Sequence, residues 1–290
     1  MDLERTAIAR LQEASRLSLE FYHQPLLITT SGGKDSSVCM ALAERAGIPY
    51  EVLHHHTTVD APETVCFIRD TFKHMEARGV KCSIDYPVYK GAPVSMWTLI
   101  PQKLIPPTRL VRYCSDILKE HGGRGRFITT GVRWAESAKR KNNRGIFETV
   151  PSNRKKKVIL TDDADDKRVL FTAAGPKAKR VCNPIIDWED SDVWSYIRAE
   201  KIPVNPLYSC GFHRVGCIGC PMASAGRWKE FARYPKYQAM YLRAFDRMIA
   251  ERRRRELPTQ WKNSEECFHW WMEDGVLPGQ ISFDDLEGAA

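Results

Sequence analysis

Short apolar runs alternate with helix-period segments along the first half of this chain, and that alternation restricts it to one class of fold. Leu26–Thr30 reads as a strand, Lys34–Ala46 as a helix, Tyr50–His55 as a second strand and Lys81–Tyr86 as a third. Between the last two, Pro62–Arg78 is expected to be helical, with Val65, Ile68, Phe72 and Met75 at helical spacing. Phe127–Gly131 follows as a fourth strand, and a fifth is expected near Asn183–Ile186. Asp2–Tyr22, with Ile8, Leu11, Leu17 and Phe21 in register, predicts a helix laid on the sheet. Strand and helix in alternation imply an α/β fold with a doubly wound parallel sheet, whose ligands bind at the carboxyl ends of the strands.

The first strand runs directly into Ser31-Gly32-Gly33-Lys34-Asp35-Ser36. Two adjacent glycines between a strand and a helix cost backbone order and bury nothing, so a purely structural role accounts for them poorly. Bare backbone N–H groups at a helix N-terminus form an anion site. The spacing is not that of a Walker A loop. It makes a tighter nest, in which Gly32 and Gly33 allow close approach and Ser31 and Ser36 can bond oxygens. Lys34 supplies positive charge, and Asp35 is expected to orient Lys34 or to help hold Mg²⁺.

The formal net charge is +8. Lys139–Arg180 alone holds thirteen Lys/Arg against five Asp/Glu, so this one segment carries the whole excess and is a candidate surface for DNA or RNA. Helical periodicity disappears over 136–180, where Ile146–Val150, Val158–Thr161 and Val169–Thr172 read as short strands of an inserted β lobe. The expected organisation is a nucleotide-binding domain over 1–225, containing that insertion, and an aromatic-rich helical region over 226–290, with an acidic tail from Gln280. Asp190 or Ser191 is expected to cap a helix through Val193, Trp194 and Ile197. No apolar run approaches the ~20 residues of a membrane span, and the N-terminus lacks a secretory core, so a cytoplasmic protein is expected.

Nine cysteines in a reducing compartment point to metal or redox chemistry rather than disulfides. Cys217 and Cys220 form a C-x2-C pair, Cys210 stands seven residues earlier and Cys114 far upstream. Zinc sites usually pair two such knuckles; one distant cysteine plus a cluster of three ending in Cys-Pro fits an iron–sulfur cubane better, with zinc as the alternative. Cys39, Cys66 and Cys82 fall on helix or strand positions and are expected in the core. His54-His55-His56 cannot converge on one metal if they alternate along a strand, so His54 is expected to contact a nucleotide at the strand end. Arg252–Arg255 are expected to grip phosphate.

Four segments in order resemble the phosphoadenosine phosphosulfate (PAPS) reductase group of N-type ATP pyrophosphatases. They are SGGKDS, Thr57–Asp70, TGVRWAES over Gly131–Ser137 with Thr130 before it, and Asn183–Ile197. The resemblance implies an adenine-nucleotide α-hydrolase-like fold, with adenine near Leu53–Thr57, the nucleotide also touching Thr57 and Gly131, and Arg133 reaching a phosphate or sulfate. It implies ATP, PAPS or APS as ligand and a [4Fe–4S] cluster. The one-plus-three cysteine spacing is similar to that of DndC-type DNA phosphorothioation enzymes. Three functions follow as expectations. The first is an ATP pyrophosphatase activating a target for sulfur transfer, with a sulfur donor or complex partner proteins. The second is a sulfonucleotide reductase, and the third a non-catalytic nucleotide- and cluster-binding subunit. Reductases of this group carry a C-terminal ECG-x-H segment with a nucleophilic cysteine; the Glu266-Cys267-Phe268-His269 run lacks its glycine and reads as part of an aromatic helix.

Overall fold

The computed structural model describes residues 2–120, 122–150, 157–172 and 178–273. In chain order the elements are α1 (Leu3–Tyr22), β1 (Leu26–Thr30), α2 (Lys34–Arg45), β2 (Tyr50–His55), α3 (Pro62–Glu76), β3 (Lys81–Asp85), β4 (Val88–Tyr89) and β5 (Ala92–Pro93). Then come α4 (Met96–Lys103), α5 (Tyr113–Leu118), β6 (Phe127–Thr129), α6 (Ala138–Asn143), β7 (Phe147–Val150), β8 (Ile159–Leu160), α7 (Val169–Thr172) and β9 (Lys179–Cys182). The last four are α8 (Asp190–Ala199), α9 (Gly226–Arg233), α10 (Pro235–Arg254) and α11 (Ser264–Met272).

The chain divides into two compact units, each drawn from three stretches. The first comprises Met1–His55, Pro62–Asp85 and His121–Gly216; the second comprises His56–Ala61, Tyr86–Glu120 and Cys217–Ala290.

A seven-stranded sheet in the order β3-β2-β1-β6-β9-β7-β8 forms the first unit. Its first five strands are parallel, while β7 runs antiparallel to both β9 and β8. The β1 strand, LLITT, is apolar enough to be buried on both faces, as a central parallel strand must be. Chain order reverses on either side of it, which places the switch point, and the crevice that goes with it, at the carboxyl end of β1. The Thr29 hydroxyl donates to Thr129 O at 2.9 Å and ties β1 to β6 at that end. Helix α1 starts where Asp2 accepts the Arg5 N–H at 3.2 Å, and it buries Ala7, Leu11, Ala14 and Leu17.

Two strand expectations are corrected. Val169–Thr172 is a helical turn, because Asp166 accepts the Arg168 N–H with its side chain and the Val169 N–H with its carbonyl, which winds the chain. The fifth parallel strand is Lys179–Cys182 and not Asn183–Ile186: Pro184 has no N–H to give a ladder, and Asn183 is consumed by a turn in which it donates to Gly145 O at 2.7 Å. The α8 cap is Glu189 rather than Asp190 or Ser191.

The second unit is helical, with a β4–β5 hairpin turning at Lys90 and Gly91, both at positive φ as a two-residue hairpin turn requires. The expected aromatic helices are present, and Tyr241, Phe245, Phe268 and Trp271 are their core. Arg252 and Arg253 donate to the carbonyls of Leu104 and Lys262, and Arg254 and Arg255 pair with Glu251. The tail from Gln280 lies outside the described residues. No described helix is long and apolar enough to cross a membrane.

Arg10 is buried in α1 and donates to both oxygens of Asp163 and of Asp187 at 2.8–2.9 Å, and to Pro184 O. Removing the cation strands two carboxylates, so Arg10→Met is expected to lower stability by about 2–4 kcal/mol. Denaturant midpoints for parent and variant check this; a midpoint shift under about 0.5 kcal/mol would refute it.

Candidate nucleotide site

Gly32 sits at φ +74, and a Cβ there would also lie 3.0 Å from Thr64 Cγ2, so glycine is required for both reasons. Gly33 is the extended N-cap of α2. Ser36 turns its hydroxyl inward, donating to Gly33 O at 2.8 Å and meeting Thr30 Oγ1, which holds the loop closed from beneath. Ser31 is half-buried at the loop's start. The Lys34 N–H, the first amide of α2, donates to the Tyr208 hydroxyl at 2.9 Å.

Beside the loop stand two cations and two carboxylates. Lys34 Nζ lies 3.3 Å from Asp35 Oδ2 and 2.9 Å from Asp190 Oδ1. Arg133 places Nε 2.7 Å from Asp35 Oδ1 and Nη2 2.9 Å from Asp190 Oδ1, while Nη1 donates to Trp188 O at 3.2 Å. Lys34 and Arg133 are 7% and 3% exposed, and a buried cation without a partner would be costly, so the carboxylates fix both side chains. Burial alone would raise the Asp190 carboxyl, but bonds and charge from Lys34 and Arg133 outweigh it and hold the group below its ordinary range. Asp35 thus orients Lys34, as its position suggested, and it holds Arg133 as well. Both carboxylates serve cations here and leave no ready-made Mg²⁺ cage; Mg²⁺ bound through phosphate oxygens and water would need few protein ligands.

Gly131 lets β6's exit approach α2: a Cβ there would sit 2.8 Å from the Asp35 backbone. His54 is buried, its Nδ1 3.0 Å from Thr30 O, which joins the ends of β1 and β2. His56 falls just outside β2, which ends at His55. Thr57 belongs to the second unit, where its N–H donates to Asp60 at 2.8 Å and its hydroxyl accepts from the Cys217 thiol at 3.3 Å. Sequence reasoning missed Asp190 as a site residue, since its place before Val193 and Trp194 reads as a cap. It missed Tyr208 entirely.

Three of the four expected metal ligands lie in the second unit. Cys217 and Cys220 form a tight turn in which the Cys220 N–H donates to Cys217 O at 3.2 Å, and Cys114 is the second residue of α5. Tyr241 donates to Ile218 O at 2.9 Å, and its hydroxyl is raised first by burial and then by Cys217, Cys114 and Cys220. Burial pushes the Cys217 thiol up to about 12 and Cys114 up to about 11, so the charge of a metal is what would make them thiolates. Cys114, Cys217 and Cys220 are each half-buried, and among the described residues no three thiols lie close enough together to share a single ion. Cys210 belongs to the first unit, exposed on the turn after Tyr208. Cys39 and Cys182 are core, whereas Cys66 is exposed on α3, a correction of its expected burial. Cys267 is fully buried in α11, and burial raises its thiol far above the ordinary value.

A model of the phosphoadenosine phosphosulfate reductase domain matches residues 25–223. The chain belongs to this family. An uncharacterised protein of Methanocaldococcus jannaschii is 30% identical over 200 residues, 67% of this chain and 40% of that protein, and a second from the same organism is 26% identical over 245 residues, 80% and 43%. The chain therefore spans less than half the length of these curated relatives. An adenosine 5'-phosphosulfate reductase of Neisseria meningitidis is 47% identical over 53 residues, 16% of this chain and 22% of that enzyme. Among solved structures, the PAPS reductase of Candida auris in its phosphate complex is similar at 17% identity over 71% of this chain and 87% of that one, TM-score 0.43. The U34-tRNA thiolase NcsA of Methanococcus maripaludis, with its [4Fe-4S] cluster, is similar at 13% identity over 88% and 84%, TM-score 0.40.

Proposed function

We propose that this PAPS reductase-family chain binds ATP at Ser31–Ser36 and cleaves it to AMP and pyrophosphate, activating an acceptor for sulfur transfer. The observation that carries this reading is the glycine loop at the N-terminus of α2, flanked by Lys34 and Arg133, which Asp35 and Asp190 hold in place. A nucleophilic atom of the acceptor attacks the α-phosphorus, the bond to the bridging oxygen breaks and pyrophosphate leaves with the electron pair; a sulfur nucleophile from the donor then attacks the activated acceptor carbon and AMP leaves. The chain's part is electrostatic: loop amides and Lys34 stabilise the charge that develops on the leaving group. Cys114, Cys217 and Cys220, with Cys210 as the fourth candidate, would hold a [4Fe-4S] cluster, which when bound supplies iron to ligate sulfur during transfer. The one-plus-three spacing, like that of DndC-type enzymes, supports the same reading.

The family itself favours a second reading, a PAPS or APS reductase. That chemistry needs an accessible nucleophilic thiol, and Cys267 in α11 does not offer one. A nucleic acid is the acceptor proposed for the basic insertion. Arg140 at its near end is lowered first by burial and then by Arg144 and Arg214, and the polyanion surface is proposed for the far part. Arg154, Lys155 and Lys156 there lie outside the described residues.

Parent protein is expected to bind ATP in the presence of Mg²⁺, and Lys34→Ala to reduce ATP affinity at least about tenfold. ATP bound equally by both proteins would sink the loop assignment, and binding of PAPS in preference to ATP would favour the reductase.

Anaerobic preparations are expected to be brown, with about four irons per chain, and Cys217→Ser to lose the colour. One zinc without iron or acid-labile sulfide refutes the cluster.

Replacing Arg154, Lys155, Lys156 and Lys157 by Ser is expected to flatten the salt dependence of RNA or DNA binding by about three to four units of slope while ATP affinity stays put. Weakened ATP binding instead would make the whole insertion a lid.

A further inference from the structure

The Tyr208 hydroxyl stands where the loop would hold an anion. It accepts the first amide of α2 at 2.9 Å, and a Cβ on Gly33 would lie 3.5 Å from the same oxygen. That amide is among the N–H groups a helix leaves without an internal partner. The phenol is placed with some rigidity. Its backbone belongs to the short turn Pro206–Tyr208, whose cap, Asn205, is fully buried. Asn205 accepts the Leu207 N–H and donates to Thr64 Oγ1, both at 3.0 Å. The ring packs edge-on to Trp194 with centroids 5.1 Å apart. All of these residues lie in the first unit.

We propose that Tyr208 is a phosphate-binding residue of the loop, its hydroxyl donating to an oxygen of the terminal phosphates while still accepting the Lys34 amide. This rests on the reading of the loop as an ATP site. A phenol accepts and donates at once; the Lys34 amide uses the first capacity, and an oxyanion takes the second. Among the described residues no protein group accepts the Tyr208 proton. Burial, ahead of the opposing bond from the Lys34 amide, pushes the phenol up to about 12, so the proton is present at neutral pH. A bond from a neutral donor to a charged acceptor is the stronger kind, and the amide behind it polarises the hydroxyl further. The tyrosine thereby takes the place of the Lys34 amide as a donor aimed at the pyrophosphate leaving group.

Tyr208→Phe keeps the ring and its contact with Trp194 and removes only the hydroxyl. Calorimetric titration of parent, Tyr208→Phe and Lys34→Ala with ATP, inorganic pyrophosphate and AMP, each with Mg²⁺, tests the assignment. Tyr208→Phe is expected to bind ATP and pyrophosphate about tenfold more weakly, with AMP affinity and melting temperature unchanged. Unchanged or tighter ATP and pyrophosphate binding overturns the proposal, since the hydroxyl would then only block the amide. An equal loss for AMP, or a lowered melting temperature, overturns it in favour of a structural role. If Lys34→Ala loses ATP while Tyr208→Phe keeps it, this inference alone fails. If the parent does not bind ATP, the nucleotide reading fails and takes this one with it.

Discussion

Two buried cations held by two carboxylates govern the first unit. Lys34 and Arg133 could not stay at the carboxyl edge of a parallel sheet without counter-charge, because desolvation would drive them outward or out of their charged state. Asp35 and Asp190 supply it from opposite directions, one from the first turn of α2 and one from the first residue of α8. The helix starts, the β6 exit and the loop are thereby locked to one another through charge. An anionic ligand then meets cations already oriented, with little reorganisation left to its arrival.

The close approach of Gly131 to Asp35 belongs to the same constraint. A side chain there would push the β6 exit away from α2 and lengthen the Arg133–Asp35 contact of 2.7 Å. The loop glycine Gly32 works differently, through a positive φ that lets the chain turn under Thr64. In the second unit the organising group is Tyr241, buried beneath the Cys217–Cys220 turn and bonded to Ile218 O between the two thiols.

Much of this was legible in the residues. Strands β1 and β2 and helices α2 and α3 start where the pattern put them, because a run buried on both faces and a helix with one apolar face leave unambiguous periods. The loop was readable because adjacent glycines there have no other use. The insertion was less so. Val169–Thr172 has strand-like residues, yet Asp166 caps it into a helical turn, and Asn183 looks continuous with a strand that in fact ends at Cys182. Cys66 reads as core by residue type, but it faces outward on α3.

The sequence by itself determined the alternating α/β class, the glycine turn after β1, the charge excess of 139–180 and the cysteine spacing, since each is a local matter of period, spacing or composition. Only the tertiary structure decided that Asp190 completes the Lys34–Arg133 charge set, that Tyr208 reaches the first amide of α2 and that Thr57 serves Cys217 rather than standing as a loop residue. The physical reason is the same in each case. These partners are separated by 57 to 174 positions, and no local signal encodes a pairing that exists only once the strands are in order.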